Sequence, residues 1–209
     1  FLEAIQRDRV SFFAGVPTLA QLMLHSPAVA KYDLTSLRAV MFGGATLHAE
    51  TARAFKARFG VELITGYGMT EGVPFTMLTG DQFDAAPAGT VGLPARGIRL
   101  RLVDEEDRDV PIGELGEVVV RGPQVSRSYL NLPEETARSQ RNGWFHTGDV
   151  GRMDPAGYLF LVDRVTDLIK RSGYSVAPAE VEGALLQHPA VGEAAVVGIP
   201  DSVRGEEIK

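Results

Sequence analysis

Hydrophobic positions in the first third of the chain alternate between short apolar runs and a helical period. Ala52, Phe55 and Phe59 fall on one helical stripe within 48–59, and Gly60 follows where a left-handed residue ends a helix. Short apolar runs predict strands at 11–14, 38–42 and 61–65. A strand, a helix and a strand joined by tight connections predict a βαβ unit with a parallel sheet and a right-handed crossover.

A second helix is predicted to begin at Pro17, because proline suits the first turn of a helix. Leu19, Leu22 and Met23 are expected to share its buried face. The surrounding uncharged stretch, 10–30, is the longest in the chain, but it contains two prolines, a glutamine and a histidine. It therefore predicts a buried loop and helix, not a membrane span.

After Gly72 the pattern changes to β-like runs separated by Gly, Pro and Asp turns, which predict an antiparallel sheet or a small barrel. These runs lie at 91–102, 117–121 and 158–162. The charged hexad at 104–109 is typical of a solvated turn between strands. Near the end, a helix is predicted from Pro178, with Val181, Ala184 and Leu185 inward, followed by a strand at 194–199.

Composition narrows the class of protein. The 209 residues carry 21 basic and 27 acidic side chains, a net charge of -6, without a dense basic run, which argues against a nucleic-acid partner. The absence of cysteine excludes a disulfide scaffold and thiolate metal sites and fits a reducing, cytoplasmic location. The chain begins without Met or a signal-like segment, so we expect an internal piece of a longer protein. The 23 glycines follow no repeat and predict turns and ligand loops.

Two glycine-containing segments follow neighbouring predicted strands, where ligands bind in open α/β sheets. In the first, 65–72, Gly66 and Gly68 would let backbone N–H groups approach phosphate. Thr70 would add a donor, and Glu71 would hold Mg²⁺ with substrate phosphates. A plain turn with an exposed glutamate is an equal alternative. The second segment is Gly43-Gly44-Ala45-Thr46, which by itself is more typical of a simple turn.

Asp149 ends the segment Trp144-Phe145-His146-Thr147-Gly148-Asp149, whose aromatic pair is more typical of a core. A buried aspartate accepts two hydrogen bonds at once, which suits a ribose diol, although an Asx-type turn is a common alternative. One histidine beside one carboxylate argues against a metal site, and His146 has no nucleophile partner in the sequence.

Arg164 follows a predicted strand, where a guanidinium can clamp a phosphate or hold a ribose. An ion pair with Asp163 or Asp167 is the alternative that we rank slightly ahead on local evidence. Lys170 is predicted to be a solvated charge. Taken without further comparison, the residues indicate a nucleotide-binding α/β protein.

An ordered set of motifs covers nearly the whole chain and resembles the acyl-CoA synthetase branch of the adenylate-forming enzymes. The first group is Tyr67-Gly68-Met69-Thr70-Glu71, Gly113-Glu114-Leu115-Gly116-Glu117 with Arg121-Gly122, and the segment ending in Asp149. The second is Gly157-Tyr158-Leu159-Phe160, Asp163-Arg164, Asp167-Leu168-Ile169-Lys170, Gly173-Tyr174 and Pro178-Ala179-Glu180-Val181-Glu182. The resemblance implies that residues 1–163 end a large AMP-binding domain, with a βαβ part at 1–74 and a β-rich part at 75–163. Residues 164–209 would form a hinge and the start of a small α+β domain.

The resemblance also implies a two-step reaction that uses ATP and Mg²⁺. A carboxylic acid, which we expect to be a fatty acid, first becomes an acyl-adenylate, and the thiol of coenzyme A then displaces AMP. The implied roles are phosphate contact for Thr70, Mg²⁺ for Glu71, adenine contact for Tyr67, and acyl and adenine walls for Gly43, Gly44 and Ala45. Asp149 would bind the ribose hydroxyls and Arg164 ribose or phosphate, with Gly66, Gly68 and Leu161 also against the nucleotide. After rotation of the small domain, Lys170 and Gly173 would face the site for thioester formation.

Three departures from the family pattern qualify these expectations. The upstream Ser/Thr/Gly-rich phosphate loop and the late lysine of the adenylation step are absent, so we expect these 209 residues alone to be inactive. Thr166 stands at the hinge position where Asp or Lys is common. Two other functions stay open: loading of a carrier-protein thiol, and adenylate binding without catalysis. The sequence does not indicate an oligomeric state.

Overall fold

The structure is a computed structural model that describes residues 1–45, 47–172, 174–201 and 203–209. The predicted positions Thr46 and Gly173 lie outside the described residues. The helices are α1 (Leu2–Asp8), α2 (Pro17–His25), α3 (Ala49–Phe59), α4 (Asp81–Ala85), α5 (Pro133–Ser139) and α6 (Pro178–Leu185), with a 3₁₀ helix at Pro27–Lys31. None of the helices in these ranges has the length and apolar character to cross a membrane.

The strands of the described ranges form three sheets. The first contains β1 (Phe12–Gly15), β2 (Ala39–Phe42), β3 (Glu62–Met69), β4 (Gly72–Thr79) and β5 (Leu93–Pro94), in that order. The second contains β6 (Arg99–Val103), β7 (Gly116–Arg121), β8 (Gln140–Arg141), β9 (Trp144–Met153) and β10 (Leu159–Arg164). The third contains β11 (Ile169–Arg171), β12 (Tyr174–Val176), β13 (Gly198–Asp201) and β14 (Gly205–Ile208).

The first sheet confirms the predicted βαβ unit. Strands β1, β2 and β3 pair in parallel, and α3 connects β2 to β3. Phe55 of α3 is fully buried, and its ring meets that of Phe42 edge-on at 5.2 Å between centroids. Gly60 ends the helix with φ 63°, a conformation that costs glycine little. The hydrophobic stripe of α3 therefore places the carboxyl ends of β2 and β3 side by side.

The face predicted for α2 is partly wrong. Met23 is buried and Leu19 packs against the core, but Leu22 is 63% exposed. Ala20 takes the remaining inward position and is fully buried. The buried stripe therefore follows 19, 20 and 23, because the small Ala20 side chain lets the helix approach the core closely.

The second sheet is antiparallel, as predicted, in the order β10-β9-β7-β6 with β8 on β9. Its buried face joins the end of the first sheet in one core, to which Phe75, Val118, Phe145 and Leu159 contribute. The charged hexad at 104–109 forms the turn after β6, with its arginine paired to Asp104. Strand pairing extends the first sheet beyond residue 74, to Pro94. The domain boundaries at 74 and 163 stay predictions.

Two predictions for the end of the chain are wrong. Ala184 and Leu185 of α6 are exposed, because the structure packs nothing over that face of the helix within the described residues. The strand predicted at 194–199 begins later, as β13. The Val196 N–H donates to Glu182 Oε1 at 2.8 Å, and this side-chain partner takes the place of a neighbouring strand.

Candidate nucleotide site

The first glycine-containing segment is mostly strand, which confines the predicted loop to its end, and contact of the segment with phosphate stays a prediction. Strand β3 continues through Gly66 and Gly68 and turns back as β4, so Thr70 and Glu71 alone form the connection. A Cβ on Gly68 would lie 2.8 Å from Val73 Cγ2 and 2.9 Å from the Gly72 carbonyl oxygen. Both glycines therefore permit close strand pairing. The small residues of this segment give no hydrophobic period, so the sequence pattern alone does not distinguish such a hairpin from a ligand loop.

Tyr67 and Asp149 meet across the junction of the first two sheets. The Tyr67 hydroxyl donates to Asp149 Oδ2 at 2.5 Å, although 82 residues separate the two in sequence. The Tyr67 ring packs edge-on against Phe75, and 9% of the residue is exposed. Burial, followed by the hydrogen bond to the Asp149 carboxylate, raises the pKa of the Tyr67 phenol far above its ordinary value. The contact fixes a neutral hydroxyl against the carboxylate, and stacking of Tyr67 on adenine stays a prediction.

Arg164 lies on the other side of Asp149. It pairs with Asp149 across β9 and β10, and its Nε lies 3.5 Å from Asp149 Oδ1. The Arg164 side chain is 67% exposed, whereas that of Asp149 is 14% exposed. The predicted ion pairs of Arg164 with Asp163 or Asp167 are thus replaced by a pair with the predicted ribose ligand. A half-buried carboxylate beside an accessible guanidinium is suited to a ribose and a neighbouring phosphate.

The hairpin turn brings Glu71 to a residue that the sequence did not indicate. Tyr129 donates its hydroxyl to Glu71 Oε1 at 2.7 Å, and the Ser126 N–H donates to the Glu71 carbonyl oxygen at 2.6 Å. Burial and the Glu71 carboxylate raise the pKa of Tyr129 to about 12. Thr70, at the other position of the turn, is exposed. The segment before α5 therefore holds the turn. The one feature of the sequence that points to this contact is a lone aromatic residue, Tyr129, in a polar loop.

A cavity of about 290 Å³ lies between the carboxyl ends of the first strands and the segment before β5. Its lining includes Ala45, Thr65 and Gly66 on one side and Thr90 and Val91 on the other. Gly43 adjoins it, since a Cβ there would lie 4.0 Å from the Gly66 carbonyl oxygen. Gly44 takes φ 79°, so the chain turns away after β2. The two predicted openings thus do converge on one cavity.

Of the other predicted residues, Lys170 lies apart from this cluster, whereas Leu161 packs in the core that contains Tyr67. The Lys170 ammonium lies 2.7 Å from Glu105 Oε1 in the charged turn. His146 is buried, and its Nδ1 lies 2.9 Å from Glu117 Oε2. Within the part of the chain that the structure describes, no group of three His, Asp or Glu side chains is arranged to hold a metal ion.

Two protein-family models match this chain. Residues 1–130 match the model of the AMP-binding enzyme family, and residues 180–209 match that of the AMP-binding enzyme C-terminal domain. The chain therefore belongs to the AMP-binding enzyme family.

Two curated relatives resemble nearly the whole chain. A feruloyl-CoA synthase from Amycolatopsis sp is 40% identical over 205 residues, which are 98% of this chain and 42% of the relative. A long-chain-fatty-acid–CoA ligase from Bacillus subtilis (strain 168) is 39% identical over 209 residues, 100% of this chain and 37% of the relative. The chain thus spans less than half the length of these relatives.

Solved structures show the same fold. The amide bond synthetase McbA from Marinactinospora thermotolerans superimposes with a TM-score of 0.81 at 38% identity, over 99% of this chain and 42% of that one. O-succinylbenzoate coenzyme A synthetase from Bacillus subtilis, in complex with ATP and a magnesium ion, gives 0.80 at 32% identity with the same coverage.

Proposed function

We propose that the protein containing this chain is an AMP-forming acid–thiol ligase. It converts a carboxylic acid and ATP into an acyl-adenylate and pyrophosphate, and coenzyme A then displaces AMP to give a thioester. Family membership and the CoA ligases among the relatives support this activity. The cytoplasmic location stays a prediction.

The observation that carries the proposal is the convergence of Tyr67, Asp149 and Arg164. Gly66, the residue before Tyr67 in β3, lines the cavity. We assign the Asp149 carboxylate to the ribose hydroxyls, since an ionised carboxylate accepts two hydrogen bonds. We assign Arg164 to the ribose or to the phosphate that bears the acyl group. Gly43, Gly44 and Ala45 form the neighbouring wall for adenine and the acid, where small side chains leave the cavity open.

The residues present fit a magnesium ion held jointly with ATP. Mg²⁺ keeps several waters and takes one or two carboxylates plus substrate phosphates, and Glu71 supplies one such carboxylate. Its backbone and side chain are both held, by Ser126 and Tyr129, so its carboxylate has a fixed direction. When bound, the ion would neutralise charge on the pyrophosphate leaving group. Thr70, exposed beside Glu71, would donate its hydroxyl to a phosphate oxygen.

The second half-reaction is assigned to the hinge and the small domain at 164–209. Lys170 is paired with Glu105 in this structure, so its approach to the nucleotide would require rotation about the hinge. We keep Lys170 and Gly173 as residues of thioester formation on the resemblance alone. Thr166 donates to Asp167 Oδ1 at 2.9 Å and could not itself form the ion pairs of an Asp or Lys at this position.

A second acceptor deserves a parallel test, because the amide bond synthetase McbA is among the most similar structures. In that alternative, an amine would attack the same adenylate and AMP would leave.

The identity of the carboxylic acid is a separate question. The relatives include enzymes named for an aromatic acid and for long-chain fatty acids. We propose a hydrophobic acid, which suits the apolar part of the cavity wall at Leu78 and Phe83.

The test is acid-dependent ATP–pyrophosphate exchange by the full-length protein, with fatty acids of several lengths and hydroxycinnamic acids. We expect exchange with one class of acid, and a thioester when coenzyme A is added. Asp149→Asn should raise the KM for ATP roughly tenfold to a hundredfold, because hydrogen bonds to a charged acceptor are lost. Glu71→Gln should lower kcat roughly a hundredfold, comparable to loss of one preorganised charge-stabilising group.

Two control variants carry the same types of substitution at other positions. Glu114→Gln changes an exposed residue and Asp154→Asn a half-exposed one, both in turns outside the cluster, and both variants should retain activity. If product forms only when an amine is added, the acceptor in the second half-reaction is an amine and not a thiol. Absence of exchange and of AMP binding in folded protein would reject the proposed function.

A further inference from the structure

Asp149 lies in an irregularity of β9 that the pairing with β7 defines. Glu117 pairs with Val150 and Val119 pairs with His146. One residue of β7 therefore faces three of β9, namely Thr147, Gly148 and Asp149. Such a bulge interrupts the ladder and redirects side chains, and bulges are frequent beside active sites.

The interrupted ladder leaves two backbone N–H groups of the bulge without strand partners, and side chains replace them. The Gly148 N–H donates to Glu117 Oε1 at 3.1 Å, and the Asp149 N–H donates to Thr147 Oγ1 at 3.1 Å. Thr147 in turn donates its hydroxyl to the Val118 carbonyl oxygen at 2.8 Å. Gly148 has φ 74°, and a Cβ there would meet nothing within 4 Å, so conformation and not space favours glycine.

Glu117 is itself held firmly. Its side chain is 17% exposed, and its second oxygen, Oε2, lies 2.9 Å from His146 Nδ1 and 3.4 Å from Arg141 Nη2. Asp107 lies on the far side of the same histidine, with Oδ1 3.5 Å from His146 Nε2. These contacts leave Oε1 directed at the Gly148 peptide. The carboxylate therefore connects a buried polar cluster to the bulge.

The other backbone polar group of Gly148 contacts the start of the predicted hinge. The Gly148 carbonyl oxygen accepts the Val165 N–H at 2.8 Å, immediately after Arg164. A shift of the Gly148 backbone would therefore displace Asp149 on one side and the chain at Val165 on the other.

We propose that Glu117 is a positioning residue, which through its hydrogen bond to the Gly148 peptide holds the β9 bulge so that Asp149 is directed at the ribose. The assignment of Asp149 to ribose rests on the proposed function, whereas the anchoring of the bulge does not. Tyr67 fixes one carboxylate oxygen, and Glu117 fixes the backbone that carries it. Correct placement matters because small displacements of binding groups have large effects.

The experiment compares Glu117→Ala and Glu117→Gln in the full-length protein. The glutamine variant keeps the size of the side chain and an oxygen that can accept the Gly148 N–H, whereas the alanine variant removes it. Glu114→Ala, an exposed glutamate in the preceding turn, is the control. AMP is the probe for affinity by titration calorimetry, and amide hydrogen exchange at 147–150 and 165 in the ligand-free protein reports on the bulge.

We expect Glu117→Ala to weaken AMP binding about tenfold and to raise the KM for ATP more than it lowers kcat. Exchange at Gly148 and Val165 should accelerate in the alanine variant and stay near the wild-type rate in the glutamine variant. Partial rescue of AMP affinity by glutamine separates positioning from a general loss of stability, which the melting temperature measures in parallel.

Two results would overturn the inference. One is AMP affinity and amide exchange in Glu117→Ala equal to those of the wild type. The other is an equal loss in the alanine and glutamine variants, because glutamine retains the acceptor. If the wild type binds no AMP, the proposed function fails, but accelerated exchange confined to Glu117→Ala would still establish the anchor.

Discussion

Two carboxylates of the candidate site are each held by a tyrosine hydroxyl, but in different surroundings. Tyr67, which holds Asp149, lies in a core that joins two sheets. Tyr129, which holds Glu71, comes from a half-exposed loop before α5. The Asp149 carboxylate is therefore fixed by the folding of the domain, whereas the Glu71 carboxylate is fixed by a contact that can change without disturbing the core.

The difference matches the ligands we assign to the two carboxylates. A ribose is the same in ATP, the adenylate and AMP, so a permanently placed acceptor suits it. In the proposed reaction, Mg²⁺ would leave with pyrophosphate after the first half-reaction, so a carboxylate held from a loop suits a transient ligand. The comparison predicts that the two tyrosines differ in what they stabilise: the fold for Tyr67 and metal use for Tyr129.

Tyr67→Phe should have the largest effect. It removes a hydrogen bond to a carboxylate in a buried setting, and we expect the free energy of unfolding to fall by about 2 kcal/mol. AMP affinity should fall as well, because Asp149 loses one of the groups that orient it. Chemical denaturation and AMP titration of the full-length protein measure both effects. Unchanged stability would show that the core does not depend on this pair.

Tyr129→Phe should affect metal use more than stability. Loss of an outer partner of a metal-binding carboxylate costs about tenfold in metal affinity, at the low end of the usual range because Tyr129 is half-exposed. We therefore expect a higher Mg²⁺ concentration for half-maximal pyrophosphate exchange, with the melting temperature and AMP affinity near those of the wild type. A loss of AMP affinity equal to that in Tyr67→Phe would remove the distinction between the two sites.

Much of the fold follows from hydrophobic periodicity. The stripe of α3 and its glycine cap predicted the βαβ unit, because burial of Phe55 and the backbone of Gly60 are local requirements. The extension of β3 through Gly66 and Gly68 was not predictable in this way, since small residues bury little surface and their pairing depends on β4. The exposure of Leu185 likewise depends on what packs against α6, and periodicity does not contain that information.

The candidate site divides similarly. Asp149, Glu71 and Arg164 could be selected as candidates from the sequence by residue type, and the last two also by their places after predicted strands. Tyr129 and Glu117 could not, since their roles arise from partners 58 and 31 positions away. Candidate ligand-binding residues are thus easier to select from sequence than the residues that hold their side chains in place.

The smallest expected effect is a dependence of stability on alkaline pH. The pKa of Tyr129 is raised to about 12 and that of Tyr67 is raised further, from an ordinary value of 10.0. Below pH 10 both phenols are protonated in the folded and unfolded chains, so their contribution to stability is complete. Above pH 10 the unfolded chain ionises first, and stability falls as the pH approaches the folded-state values.

Denaturation between pH 9 and pH 11 measures this dependence. The wild type should lose stability with rising pH, and each Tyr→Phe variant should lose less over the same range. Tyr67→Phe and Tyr129→Phe should flatten the dependence to a similar degree, because the folded-state pKa values of both phenols lie above this pH range. Tyr174→Phe, at a residue that is 77% exposed, is the control and should follow the wild type. Equal slopes for Tyr67→Phe and Tyr174→Phe would mean that the core does not hold the Tyr67 phenol in its neutral form.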